Sequence, residues 1–189
     1  MDNRFENVTM TGRMCYIFMC IERYLLARYP DRDWSLVARK MWHCPAARNF
    51  YAPEWYEYNR IRPESIIRFK YHASAHSDPI TREEYEQAVS LYSTVTDGNP
   101  QNEICRALMI PLQMVNDCDG HDYNDETGKK TTLCAINEIE SILQVHKIPL
   151  PDASLAAEYV PMKDEDGELD FWGFGTLGTE KLSLILNKK

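Results

Sequence analysis

The sequence predicts a mainly α protein, a single-domain, bundle-like array of about six helices with a small C-terminal β element. Apolar residues recur at helical spacing through residues 13–150. The breaks in that pattern fall at Pro, Gly, Asn and Asp clusters, which punctuate helices. Beyond residue 157 the texture changes to short apolar pieces flanking Asp166-Gly167, a hairpin signal. The expected organisation is one domain over 1–189, with a helical core at 13–150 and a hairpin-like extension at 157–186.

The first helix is expected over about 13–29, ended by Pro30, and its apolar residues cover most of its circumference. That makes it a central, buried helix. In "DRDWSLVARKMW", Trp34, Val37, Ala38 and Met41 share one face behind Asp33 as N-cap. An irregular aromatic stretch follows, and Pro63 suits the first position of a helix "PESIIRFKYH". Thr81 and Glu84 form a capping box ahead of the stripe Tyr85, Ala88, Val89 and Tyr92. Ile104, Leu108, Leu112 and Val115 mark the next helix, which Pro111 must kink or split. The last long helix buries Ala135, Ile136, Ile139, Ile142 and Leu143 and closes before Pro149 and Pro151. "TLGTEKLSLILNKK" is open between a short helix and a strand.

Charge is segregated. Residues 1–82 hold 13 Lys and Arg against 9 Asp and Glu, while residues 83–189 hold 8 against 20, for a net of −8. Two windows account for the excess. One is Asp117, Asp119, Asp122, Asp125 and Glu126; the other is Asp164, Glu165, Asp166, Glu168 and Asp170. Concentrated like charge repels itself and steers an oppositely charged partner toward it. The six cysteines include no C-x-x-C pair and mostly sit in apolar runs, which fits reduced, buried thiols. No secretory h-region is visible, and the longest apolar run, 14–21, is far short of the roughly 20 residues of a membrane span. A cytoplasmic location is expected.

The chemical motifs fail on spacing. An EF-hand register from Asp117 places Asp122 where Gly is required and Gly128 where Glu is required; a start at Asp119 does no better. "TGKKTT" lacks the upstream Gly of a phosphate loop, since position 123 is Tyr. His72 and His76 have helical metal spacing, but Ala73 stands where the Glu of H-E-x-x-H belongs. His43 beside Cys44 is a nucleophile dyad in name only, and G-x-S-x-G is absent. Glu54 and Glu57 near Trp55 form an acid/base pair of a kind that any acidic helical protein offers. The Arg- and aromatic-rich stretch 39–71 has the residue types of a single-stranded nucleic-acid binder, but the acidic chain opposes it. Its Arg stems are expected to cover core aromatics and pair with the acidic second half.

"GRMCYIFMCIERYLLARYPDRDW" (12–34) and "FWGFGTLGTEKLSLIL" (171–186) resemble segments of small acidic bacterial immunity proteins of polymorphic toxin systems, of the contact-dependent inhibition type. The resemblance covers about a fifth of the chain and implies non-catalytic binding to a cognate toxin, with a basic nuclease as one partner class. It transfers no catalytic residue. The expected partner surface is the two acidic windows, with no cofactor, no metal and no membrane. The alternatives are a metal-dependent hydrolase using the 117–126 carboxylates or His72 and His76, and a nucleic-acid-binding module.

Overall fold

Helix α1 (Met10–Arg28) runs through the middle of the computed structural model, which describes residues 3–47, 52–71, 78–118, 126–163, 167, 169–170, 172–173 and 175–188. Met10 to Glu22, Tyr24 and Leu25 are all buried, as an apolar circumference demands. The helix starts earlier than the pattern suggests, because Thr9 Oγ1 accepts the Gly12 N–H at 3.0 Å and caps it. Glycine weakens a helix, so Gly12 argues for a later start. Packing requires it there: a Cβ would sit 2.5 Å from Val8 Cγ1 and 2.8 Å from Tyr159 Cβ.

Helices α2 (Ser35–His43), α3 (Pro53–Ile61), α4 (Pro63–Arg68) and α5 (Arg82–Ser93) follow as successive neighbours. Asp33 Oδ1 accepts the Ser35 N–H at 2.9 Å from one position ahead of the cap residue, Trp34. Pro53 and Pro63 open α3 and α4, where a missing N–H costs nothing. Helix α4 stops at Arg68, sooner than its apolar pattern, because Phe69 is extended. The α5 capping box forms as expected: Thr81 Oγ1 accepts the Glu84 N–H at 3.2 Å and Glu84 Oε2 accepts the Thr81 N–H at 2.9 Å.

Helices α6 (Glu103–Asp117) and α7 (Glu126–Val145) pack on each other and on α1. Pro111 does not split α6. The Tyr58 hydroxyl donates to the Leu108 carbonyl at 2.6 Å, in the turn where the missing proline N–H opens the ladder. The face Ala135, Ile136, Ile139, Ile142 and Leu143 of α7 is buried. Lys147, at φ 56°, closes the helix in a Schellman motif, with Ile148 N–H donating to the Leu143 carbonyl at 2.8 Å.

Beyond Pro151 the chain returns to α1. The 3-10 turn Ala153–Glu158 packs on it, and the Thr9 N–H donates to the Tyr159 carbonyl at 2.8 Å. Strands β1 (Met162–Lys163) and β2 (Leu169–Asp170) form an antiparallel hairpin, pairing Met162 with Asp170. The Thr11 hydroxyl then meets the carbonyls of Trp172 (2.8 Å) and Gly173 (2.9 Å). From Gly175, whose N–H donates to the Ala47 carbonyl at 3.0 Å, the chain crosses α1 and α2 through the 3-10 turn Thr179–Leu182. Of the two forms its sequence allows, the described residues of this stretch take a short helix, of the 3-10 kind, and no strand. The fold is mainly helical with a small C-terminal β element, and the buried apolar residues form one cluster that includes Trp34, Trp42 and Trp55.

Candidate functional site

The first acidic window occupies the connection between α6 and α7. Asp117 is the exposed last residue of α6, and Glu126 opens α7. The second window occupies the β1–β2 hairpin. Its Asp170 is half-buried, and its Oδ1 accepts the N–H groups of Trp172 (2.9 Å) and Gly173 (3.1 Å), so this oxygen shapes the chain. Asp119, Asp122, Asp125, Asp164, Glu165, Asp166 and Glu168 lie outside the described residues, as do His72 and His76.

A groove of about 560 Å³ runs between α6 and α7 and reaches Asp117. Gln113, Met114 and Asp117 line it at helical spacing from α6; Lys130, Cys134 and Glu138 line it at i, i+4 and i+8 from α7. Glu138 is held by Arg106 Nε at 2.6 Å. Cys134 is the exposed thiol; Cys15, Cys20, Cys44, Cys105 and Cys118 are buried. Burial pushes the Cys15, Cys20 and Cys44 thiols well up, so these are packing groups and poor nucleophiles.

A second cleft, of about 580 Å³, lies between α2 and residues 176–180. Lys40 reaches Glu57 at 3.0 Å and Glu84 at 2.8 Å there. Burial pulls the Lys40 ammonium down, but the bonds to Glu84 and Glu57 outweigh it and raise its pKa. His43 turns toward Glu57 at 4.0 Å, whereas the Cys44 thiol points to the carbonyls of Lys40 and Glu54, so the two form no dyad. Glu57 is committed to Lys40, which removes it from an acid/base pair with Glu54.

Within the stretch 39–71 the basic residues pair mostly close by, rather than with the acidic second half as expected. Arg60 grips Asp78, Arg68 pairs with Glu64 and Lys40 joins Glu57, all nearby in sequence; among these pairs only Lys40–Glu84 reaches into the acidic half. Short-range pairing wins because α3, α4 and α5 are consecutive neighbours. The Arg60 guanidinium lies 5.1 Å from the ring centre of the half-buried Tyr85, a cation–π contact.

Glu22 is the site residue that sequence reasoning missed. It is fully buried in α1, and among the described residues no cation meets its carboxylate. Oε1 accepts from the Trp42 indole N–H (2.8 Å) and the Ser183 hydroxyl; Oε2 accepts from the N–H groups of Leu184 and Ile185. Burial raises its pKa above the ordinary glutamate range, against the opposing pull of these four donors. The signal was a lone Glu closing the apolar run 14–21 of a helix with no other acidic residue. The second buried carboxylate, Glu140, has a cation: Arg4 donates at 3.0 Å and the Tyr16 hydroxyl at 2.6 Å.

Among the described residues, no group of three or more His, Cys, Asp and Glu could hold a metal ion, and no helix is long and apolar enough to cross a membrane. No family model matches the chain, and no curated protein or solved structure matches it.

Proposed function

We propose that this chain is a non-catalytic, immunity-type binding protein that neutralises a cognate toxin by protein–protein contact. The acidic segment at the α6–α7 connection is its partner surface, and a basic nuclease-like domain is the partner its charge suits. The observation that carries this reading is the position of Asp117. It ends α6 with no basic residue in the last turn, so its carboxylate sits at the negative end of the helix dipole. Such a placement costs about 0.3–1 kcal/mol at an exposed site. It adjoins a groove and begins a run of four further carboxylates without an intervening cation. An arrangement that weakens its own helix is explained by an external cationic partner, which it would steer by long-range attraction.

Asp117→Lys separates the two effects. It should leave the fold as stable or slightly more stable in thermal melts, while slowing association with the partner. The partner is obtained by affinity capture from the native host's lysate at moderate salt, identified by mass spectrometry, and co-expressed to test whether this chain relieves its toxicity. Capture of one stoichiometric toxic partner, weakened by salt and by reversing Asp117, Asp119 and Asp122, supports the reading. Unchanged binding by the triple reversal removes the acidic segment from the interface. Failure to relieve toxicity removes the immunity function.

A further inference from the structure

We propose that residues 176–188 form a strap that hinges on glycines and latches onto Glu22, opening from the α1–α2 face as a unit while the helices stay folded. This stands apart from the toxin-binding reading.

Four observations carry it. First, the strap is built from one 3-10 turn and bends, and the backbone hydrogen bonds within it are local, such as Ser183 N–H to the Glu180 carbonyl at 3.0 Å. Second, its entry holds Gly173, Gly175 and Gly178, with φ of 68°, 72° and 76°. These are left-handed conformations that glycine adopts freely. Around Gly175 and Gly178 a Cβ would meet nothing within 4 Å, so the backbone angle, not crowding, requires glycine there. Third, the strap's attachment is concentrated. Glu22 takes the Ser183 hydroxyl and the N–H groups of Leu184 and Ile185, while Ser183 Oγ accepts the Leu186 N–H at 2.9 Å. Glu22 and Ser183 thus cap the last turn of the strap as an N-cap residue caps a helix, although Glu22 comes from a distant part of the chain. The ion pair of Lys181 with Glu158, at 3.7 Å, is exposed. Fourth, the underside is only moderately apolar: Thr179 and Ser183 are buried, Leu182, Ile185 and Leu186 are half-buried, and Leu177 is 80% exposed.

The latch carboxylate is buried and meets no counter-charge among the described residues, so its docked state holds a desolvation cost that opening relieves. Residues 176–180 and Leu186 also wall the 580 Å³ cleft. Opening therefore removes one wall of this cleft, which Trp42 lines, and uncovers Glu22.

Amide hydrogen exchange by NMR on the full chain tests this, comparing the amides of Leu184, Ile185 and Leu186 with those of α1 and α7. The expected result is faster exchange in the strap than in either helix. Ile139→Val, in the core of α7, should accelerate the α1 and α7 amides about two- to ten-fold and leave the strap amides unchanged. Glu22→Gln, which turns an acceptor pair into a mixed donor and acceptor, should accelerate the strap on the order of ten- to hundred-fold. Strap amides as protected as α1, and moving in step with it in Ile139→Val, would overturn the proposal without recourse to Glu22→Gln. Strap amides unchanged in a folded Glu22→Gln variant would overturn the latch.

Discussion

Helices α2, α6 and α7 press apolar side chains onto α1, whereas the described residues of the returning chain add to their apolar packing a set of polar contacts directed at Thr9, Thr11 and Glu22. Apolar contact is non-directional and scales with area. The polar contacts are directional and fail singly. The helical body should therefore lose stability in proportion to the volume removed, while the wrap should respond to changes of one atom or one bond.

The largest effect is expected in the body. Phe18 is fully buried and meets Trp42 and Tyr58 edge-on, with ring centres 5.4 Å and 6.2 Å away. Phe18→Ala should destabilise by about 3–5 kcal/mol in a denaturant titration. A loss under about 1 kcal/mol would mean that this core collapses readily around a cavity.

A smaller effect tests the seam between the two regions. Gly12→Ala gains helix propensity worth roughly 1 kcal/mol. The new Cβ would collide with Val8 and Tyr159 and come 3.0 Å from the Ala156 carbonyl. A net loss of about 1–3 kcal/mol is expected, by overpacking. A net gain would show that the 153–159 turn shifts freely.

The smallest effects separate two carboxylates by the sign of their pH response. Burial raises the pKa of Glu22, so its contribution is fully present below the ordinary glutamate pKa and is lost as pH rises through the raised value. Glu103 is the reverse. Burial pushes it up, but His146 Nε2 at 2.5 Å and the Tyr24 hydroxyl at 2.9 Å outweigh that and hold it below the ordinary range. Its contribution is present above the ordinary glutamate pKa and disappears as pH falls through the depressed value. Stability measured against pH should therefore show opposite differences from wild type: Glu22→Gln loses ground as pH falls from neutral toward the ordinary glutamate range, and Glu103→Gln gains ground below it. Parallel slopes in the two variants would refute the assignment.

The same division explains what was legible in the sequence. Periodicity located the long helices, and the Thr81–Glu84 box marked the start of α5, because both are local signals. The circumferential apolar pattern of α1 correctly gave its burial. The start of α1 was misplaced because Gly12 is explained by Tyr159, which is remote in sequence. The hairpin was legible from Asp166-Gly167, but the Glu22 clasp was not, since its partners leave no spacing to read. At the candidate interface, the acidic windows were plain from composition. The groove that reaches Asp117 was not, because it depends on which faces of α6 and α7 meet.

The reach of the Glu22 clasp bears on how the protein is made. Ser183, which meets Glu22, lies 161 residues further along the chain. At roughly 5–20 residues per second, a ribosome takes on the order of ten to thirty seconds to deliver that partner after α1 has emerged. During that interval an apolar helix with an unmatched carboxylate has no strap to cover it. The nascent chain therefore carries this uncovered face until residues 176–188 emerge, and slow translation or a stall before residue 175 should increase its demand for chaperones.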